Sequence, residues 1–292
     1  MVKFFWDVKH GRSHAEKTSQ PERLCLIGDA LETQERFLKL KMIGGPPNDE
    51  YQFLMFVEHD KVYVATQSDR EKMRKLGDNA RIFRPNMDRP PVDFHILSEN
   101  RGGSITYHGP GQLVCYMILC MDEVGIQTPH HLAEIVDQTI REFLLGIDIT
   151  GYTTDELCNF TDPDLREQLT SRGLLHTDEQ GGNKLLMSAQ GIWVADGQKK
   201  LKKIASRGFR VVNQKYSGSR IKRFTKFGFS INLSTDLEYF KYIYPCGEDI
   251  EMTSVHAIKG DSPTIHMATP MVAQAFIKTI RKLTGNESHE LI

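Results

Sequence analysis

The chain has 292 residues, 39% of them hydrophobic and 26% charged, with 37 basic against 38 acidic side chains and a formal net charge of −1. That make-up is ordinary for a globular protein, and the length can bury a full core in one large domain or two modest ones. No overall field exists to draw the protein to nucleic acid or to an anionic membrane surface.

In chain order, the first 20 residues read as a loosely ordered stretch. They lack the apolar core of a secretory signal, and Asp7 and Glu16 argue against a transit peptide. Residues 30–42, with Leu31, Phe37, Leu38 and Leu40, predict an amphipathic helix that ends before Gly44-Gly45-Pro46-Pro47. Residues 53–57 predict a buried strand, and Val62 and Val64 alternate into a second. Residues 66–93 are polar and proline-punctuated, as in a variable loop with a short helix. VDFHILSEN predicts a strand leading into a glycine cluster, and QLVCYMILCM predicts the strand after it. The apolar run of that strand falls far short of the roughly 20 residues of a membrane span.

A second helix follows, with Thr128 as its cap, Pro129 in its first turn and Gly146 at its end. Leu132, Ile135, Val136, Ile140, Phe143 and Leu144 recur along it at helical spacing. Residues 152–186 are poorly periodic and look like an insertion. Ile192 to Val194, a turn at Asp196-Gly197 and residues 203–212 predict a hairpin. FGFSINL predicts another strand, STDLEYFKYI a short helix capped by Ser234 or Thr235, and residues 270–283 a last helix with Val272, Phe276 and Ile280 on one face. The class is α+β, a mixed sheet with helices packed on it.

Three segments carry candidate chemistry. The cluster RGGSITYHGPG is neither a phosphate-cradling P-loop nor a dinucleotide fingerprint, because no Lys-Ser/Thr follows and a strand rather than a helix comes next. Its glycines would let the backbone approach a ligand closely, Arg101 could anchor a carboxylate or carbonyl, and Tyr107 and His108 could donate hydrogen bonds; a plain strand-to-strand turn fits as well. In IYPCGED, Cys246 stands between Pro245 and Gly247 on a sharp turn that would present its thiol. Cys25, Cys115 and Cys120 read instead as small buried hydrophobes, and Cys158 as incidental. The five cysteines are odd in number and hold no CxxC pair, which argues against structural zinc and favours free thiols in a reducing compartment. In KKLKKIASRG, Lys199, Lys200 and Lys202 read as a solvated face. Strand alternation sets Lys203 with Ala205 and Arg207, yet pattern alone still favours an exposed lysine there.

Taken together and in order, RGG-x-x-TYHGPGQLV-x-Y from Arg101, K-I-A-x-x-G from Lys203, and PCG from Pro245 with Thr253-Ser254 after it resemble the lipoate-biosynthesis octanoyltransferases. ALETQ, VEH at Val57, GIWV at Gly191 and TDLEYFKYI are similar too, so the likeness runs from about residue 28 to about residue 283. The resemblance implies the fold of biotin- and lipoate-protein ligases as one catalytic domain over 28–292, after a partly ordered extension over 1–27, with insertions near 152–186 and 213–226. It implies transfer of an octanoyl group from octanoyl-acyl carrier protein to a lysine of lipoyl domains, those of 2-oxoacid dehydrogenases and the glycine cleavage H protein; the free thiols fit a reducing interior such as the cytoplasm. Neither ATP nor metal would be needed.

By the same carry-over, Cys246 is the nucleophile and Lys203 its proton partner. Arg101, Gly102, Gly103, Ser104, Ile105, Thr106, Tyr107 and His108 would line the acyl pocket. Ser206, Arg207 and Gly208, with Gly228, Phe229 and Ser230, would supply its other walls. Backbone N–H groups of the cysteine turn or the glycine loop would hold the oxyanion. An amidotransferase, an ATP-dependent lipoate ligase or a non-catalytic acyl-binding relative of the same fold are the alternatives. The chain departs from the family at Phe227, where a histidine is usual, at Ser230, where an alanine is usual, and at Met117, where a proline is usual. The basic tract with Lys215, Arg220, Lys222, Arg223 and Lys226 reads either as a docking surface for the acidic carrier or as a solvated loop.

Overall fold

The computed structural model describes residues 3–9, 24–44, 51–85, 92–177, 181–186, 189–215 and 221–291. Strand β1 (Lys3–Lys9) is followed by helix α1 (Ile27–Ile43) and strands β2 (Tyr51–Val57) and β3 (Val62–Ala65). Helix α2 (Gln67–Leu76) leads to β4 (Asp93–Ile96), β5 (Thr106–His108) and β6 (Gln112–Ile118). Helices α3 (Pro129–Leu145), α4 (Thr154–Cys158) and α5 (Pro163–Ser171) precede β7 (Leu175–Thr177) and β8 (Asn183–Leu185). Then come β9 (Gly191–Ala195), β10 (Leu201–Lys215), β11 (Ile221–Asn232), 3-10 turns at Leu237–Tyr242 and Pro245–Gly247, α6 (Val255–Lys259), α7 (Ile265–Thr284) and β12 (Glu290–Leu291).

The main sheet has seven strands in the order β12-β1-β2-β6-β11-β10-β9. Its edge from β12 to β2 is parallel and the rest antiparallel, so the sheet is mixed. Period-two alternation sorts the side chains of β2 and β6 into two layers, and β11 breaks step at Phe227, whose φ is 60. Leu54 and Phe56 of β2, Leu113, Cys115 and Met117 of β6, and Phe229 and Ile231 of β11 meet α3 and α7 on one face. Met55 and Val57, Val114, Tyr116 and Ile118, with Phe224 and Phe227, meet α1 on the other. The α+β expectation therefore holds, and β6 is buried throughout because both its faces are covered.

A second core lies beside the main sheet. The small sheet β4-β3-β5 supplies Tyr63 and Tyr107, which pack with Ile105 of the preceding loop and with Leu157, Leu165, Leu169, Leu174 and Trp193. Much of that core comes from the stretch read as an insertion, and its helices have firm starts. Thr153 and Glu156 form a reciprocal capping box on α4. The Asp162 side chain accepts from the first turn of α5, with Pro163 next to it.

Other differences have local causes. The first residues are not all loose, since Lys3–Lys9 pairs with β2 in parallel; residues 10–23 lie outside the described set. On α1 the sheet-facing stripe is Ala30, Gln34, Leu38 and Lys41, and Leu40 is exposed. The two polar members find partners, Gln34 Oε1 at the Phe227 N–H (2.5 Å) and Lys41 Nζ at Glu123 Oε2 (2.8 Å). The turn at Leu237–Tyr242 is capped by Asp236, not by Ser234 or Thr235. Helix α7 starts before Pro270, because Thr264 caps it by accepting the Met267 N–H at 3.3 Å.

The basic tract is the far end of the β10–β11 hairpin, which continues in register to the Lys215–Ile221 pair. Its cations are largely neutralised within the chain. Lys222 pairs with Glu123 at 2.7 Å, Arg223 with Asp122 at 2.6 Å, and Lys226 with Glu35 and Glu99. Arg220 lies outside the described residues. Both sequence readings of this tract are corrected: Lys222, Arg223 and Lys226 serve neither as a free basic surface nor as a solvated loop.

Candidate active site

Cys246 and Lys203 are 43 positions apart in sequence and meet at 3.9 Å, Nζ to Sγ. Main-chain bonds bring them together. The Lys203 N–H donates to Glu251 O at 2.9 Å and the Thr253 N–H donates to Lys203 O at 2.9 Å, so the segment after the cysteine turn runs parallel to the start of β10. Between Lys203 and Ala205 the β9–β10 register slips by one residue. The slip falls after Lys203, which stays in regular register opposite Trp193 and on the same buried side of the strand as Leu201. Gly191 on β9 leaves room for its stem, since a Cβ there would stand 2.9 Å from Lys203 Cε and 2.4 Å from Ala205 O. Lys203 is 1% exposed, which overturns the exposed reading favoured by the lysine-rich pattern. Burial pulls its ammonium below the usual lysine range, Arg207 pulls the same way, and Cys246 opposes both.

Cys246 sits in the 3-10 turn Pro245–Gly247 with φ 57, a left-handed conformation that non-glycine residues seldom adopt. The turn is pinned to the glycine loop, because the Cys246 N–H donates to Ile105 O at 3.0 Å. The Gly247 N–H donates to Tyr244 O at 2.7 Å. Both N–H groups of the turn are thus already bonded, and the turn cannot supply the oxyanion donors expected of it.

The sulfur opens onto a cleft of about 540 Å³, part of it open to solvent. Its apolar walls are Ile27 and Leu31 of α1, with Val64, Leu97, Val114, Tyr116, Phe227 and Phe229. Arg101, Thr106, His108, Ser206, Arg207, Gly208, Gly228 and Ser230 add polar and backbone surface.

The glycine loop divides its duties. Gly103, at φ 79, passes so close to the thiol that a Cβ there would lie 3.6 Å from Cys246 Sγ and 3.4 Å from Arg101 Nη1. Gly102 abuts Gly208. Ser104 donates to Asp69 Oδ1 at 2.5 Å, tying the loop to α2. Arg101 holds carbonyls of the protein itself, Gly102 O at 2.9 Å, Ser104 O at 3.2 Å and Val64 O at 3.4 Å, so it braces the loop that it was expected to equip for ligand binding. Ile105 and Tyr107 are not pocket residues. Both are 0% exposed and face the second core, where Tyr107 stacks on Tyr239. The cause is strand alternation in β5, which sends Thr106 and His108 to the cleft and their neighbours away.

Three polar supports escaped the sequence reading. Arg207 is held by Asp137 of α3, Nε to Oδ1 at 2.8 Å, and Thr154 Oγ1 donates to Asp137 Oδ2 at 3.3 Å. Gln112 Nε2 donates to Asn232 Oδ1 at 2.8 Å, so its Oε1 accepts from His108 Nδ1 at 2.5 Å. His59 Nδ1 donates to Cys25 O at 3.0 Å, which leaves Nε2 to accept the Tyr116 hydroxyl at 2.9 Å. His59 and His108 are both neutral at neutral pH, pushed down to about 4 and about 3 chiefly by burial. Among the described residues no cluster of His, Cys, Asp or Glu is arranged to hold a metal ion.

Residues 28–277 match the lipoyl protein ligase A/B catalytic domain. The chain belongs to that family. It is 31% identical over 197 residues to an octanoyltransferase of Bacteroides thetaiotaomicron, covering 66% of this chain and 63% of that one. An octanoyltransferase of Bacteroides fragilis is 29% identical over 194 residues, 66% of this chain and 65% of the relative, so the match spans a little under two thirds of these relatives' own length. An octanoyltransferase of Mycolicibacterium gilvum is 27% identical over 269 residues, 90% of this chain and 87% of that one. A Thermoplasma acidophilum protein solved with bound lipoic acid aligns with TM-score 0.53 at 10% identity, covering 100% of this chain and 88% of that one, and it shows that the fold is shared. No helix among the described residues of this family member is long and apolar enough to cross a membrane.

Proposed function

We propose that this chain transfers an octanoyl group from octanoyl-acyl carrier protein to a lysine of a lipoyl domain, through an acyl-enzyme on Cys246, in the cytoplasm. The observation that carries the reading is the 3.9 Å approach of a buried lysine to a thiol at an apolar cleft. A binding module needs neither group.

The Cys246 thiolate, stabilised by the neighbouring Lys203 ammonium, attacks the donor's thioester carbonyl. The carbon–sulfur bond to the carrier breaks and the departing thiolate takes the proton from Lys203. An S-octanoyl cysteine and a neutral Lys203 remain. The acceptor amine then attacks the acyl-enzyme, Lys203 takes its proton, and the Cys246 thiolate leaves as the amide forms. The cycle returns both groups to their starting states. Exchange of a thioester for an amide runs downhill, so this chemistry as proposed consumes no ATP. The walls from Ile27 to Phe229 would hold the alkyl chain by burial. Lipoyl domains of 2-oxoacid dehydrogenases and the glycine cleavage H protein are the proposed acceptors.

Intact-mass measurement after mixing with octanoyl-acyl carrier protein tests the reading. The expected result is an octanoyl-sized increase that is absent in Cys246→Ser. Octanoylation of a lipoyl domain from free octanoate and ATP, with no acylated Cys246, would replace the proposal with a ligase.

A further inference from the structure

A carrier protein that delivers a thioester to Cys246 has to seat its body beside the cysteine turn, and the charge around that turn selects what can seat there. Segment 67–84 carries six basic residues, Arg70, Lys72, Arg74, Lys75, Arg81 and Arg84, against three acidic ones. One of the three, Asp69, is 1% exposed and taken up by Ser104 and by the cap of α2. Arg70, Lys72, Arg74, Lys75 and Arg81 are exposed, and none of them forms an ion pair with an acidic side chain that the structure describes, a set that leaves out Asp78, whereas Arg84 pairs with Asp249 at 2.6 Å. This is the reverse of the tract on the β10–β11 hairpin, where Lys222, Arg223 and Lys226 are spent on Glu123, Asp122, Glu35 and Glu99.

The segment is fastened to the thiol's turn at both ends. At one end Ser104, bonded to Asp69, comes within 3.9 Å of where a Cβ of Gly247 would stand. At the other, the Arg84 N–H donates to Tyr242 O at 2.9 Å and the Tyr244 N–H donates to Ile82 O at 3.0 Å. The guanidinium groups of Arg81 and Arg84 lie over the Tyr244 ring at 4.8 and 4.7 Å, two residues before Cys246. Exposed cations beside a reactive turn raise the encounter rate of an acidic partner and orient its approach.

We propose that α2 and residues 81–84 form the docking surface for the acidic face of the acyl carrier protein. The proposal rests on the carrier-dependent reading above and places its donor. In a chain of net charge −1 the surface supplies a local positive field that the whole protein lacks. The carrier's arm then reaches the sulfur from the side of the cysteine turn, and the lipoyl domain approaches elsewhere.

The test is the variant R70Q/K72Q/R74Q/K75Q, whose four positions are exposed, with far-UV circular dichroism and thermal melting to confirm the fold. Acylation of Cys246 is followed by intact mass with two donors, octanoyl-acyl carrier protein and the uncharged small thioester S-octanoyl-N-acetylcysteamine. At low salt, kcat/KM for the carrier donor falls about tenfold or more, its salt dependence flattens, and the rate with the small thioester is unchanged. Binding of unacylated holo-carrier to Cys246→Ser protein weakens in parallel when the four changes are added. Equal losses with both donors, no loss with the carrier, or a loss confined to KM for the lipoyl domain would each overturn the assignment. If neither donor acylates the wild-type thiol, octanoyl transfer itself fails, and the holo-carrier titration still decides the surface: binding abolished by the four changes upholds it, and unchanged binding overturns it.

Discussion

Asp137 on α3 grips Arg207 on β10, Nε to Oδ1 at 2.8 Å, with the two side chains 6% and 11% exposed. Arg207 lines the cleft and Lys203 feels both partners, Arg207 favouring the neutral amine and Asp137 the ammonium. Asp137→Ala leaves a guanidinium enclosed without its counter-charge, and breaking such a pair costs about 3–5 kcal/mol. Urea denaturation should therefore show a loss of that order. The double change of Asp137 and Arg207 to Leu and Met should recover much of the loss, because removing both charges spares the unpaired one. A single-variant loss below about 1 kcal/mol would mean that the pair is solvated.

Lys203→Ala tests the proton partner. The main-chain bonds that fix Lys203 to Glu251 and Thr253 survive the change, so the fold should persist. Without the amine, thiolate formation and proton transfer both suffer, and positioned acid–base groups typically contribute about 10²–10⁴-fold. Acylation of Cys246 by a small octanoyl thioester, followed by intact mass, should slow by that range. Lys203→Met, which refills the space, should be equally slow. A wild-type rate in either variant removes Lys203 from the chemistry.

Much of the frame is legible in the sequence because burial writes itself there. The unbroken apolar run of β6 announces a strand covered on both faces, and Thr128 and Pro129 mark the start of α3 where the helix does begin. Misreadings cluster where the partner decides. Lys203 is buried because the segment around Met252 and the space at Gly191 enclose it, and no local pattern records either. The cations of Lys222, Arg223 and Lys226 look free in sequence because their acids lie on other elements. Some signals are present in the chain and easily passed over. Thr153-x-x-Glu156 and Asp162-Pro163 mark two helices inside the stretch whose poor periodicity suggests an insertion. Treating the tail of the glycine cluster as the strand β5 separates Thr106 and His108 from Ile105 and Tyr107 by alternation alone. The meeting of Lys203 and Cys246 is expected through the family's motifs, not through spacing, since a separation of 43 positions imposes no geometry.

Glycines that serve the cleft should separate sharply from one that does not. Gly103→Ala adds a Cβ at φ 79, 3.6 Å from the sulfur, so it should cost about 1–3 kcal/mol and slow acylation. Gly228→Ala is harsher. Its Cβ would fall 2.0 Å from Cys115 O, which forces β6 and β11 apart, and thermal melting should register the largest drop of the set. A Cβ on Gly28, within α1, would meet nothing within 4 Å, and alanine there should stabilise by up to about 1 kcal/mol through helix propensity. A Gly103→Ala protein as active and as stable as the wild type would detach the glycine loop from the thiol.

Acid should weaken the protein well before its carboxylates are lost. His59 is 0% exposed and burial lowers it to about 4, partly opposed by its bond to the Cys25 carbonyl. His108 keeps some surface on the cleft but is otherwise enclosed. Burial, followed by the charge of His59, lowers it to about 3 against the pull of Gln112. In the unfolded chain both titrate near about 6.5. Between the folded and unfolded values the unfolded state binds more protons, so unfolding free energy rises with pH. The contribution is complete above about pH 6.5 and drains away as pH falls toward the folded values. At about 1.36 kcal/mol per unit, His59 alone removes about 3 kcal/mol by pH 4 and about 2 kcal/mol by pH 5. Burial raises Asp122 and Glu123, yet bonds from Arg223, Lys222 and Lys41 hold them below the usual carboxylate range, so their loss begins at lower pH. Urea denaturation at pH 7.5 and pH 5.0 reads the buried histidines, His289 included because burial lowers it as well. His59→Gln, which removes one of the titrating groups, should shrink the difference by about 2 kcal/mol and leave the shares of His108 and His289, whereas equal stability of the wild type at both values would place the two imidazoles of His59 and His108 in water and dissolve their tie to Tyr116 and Gln112.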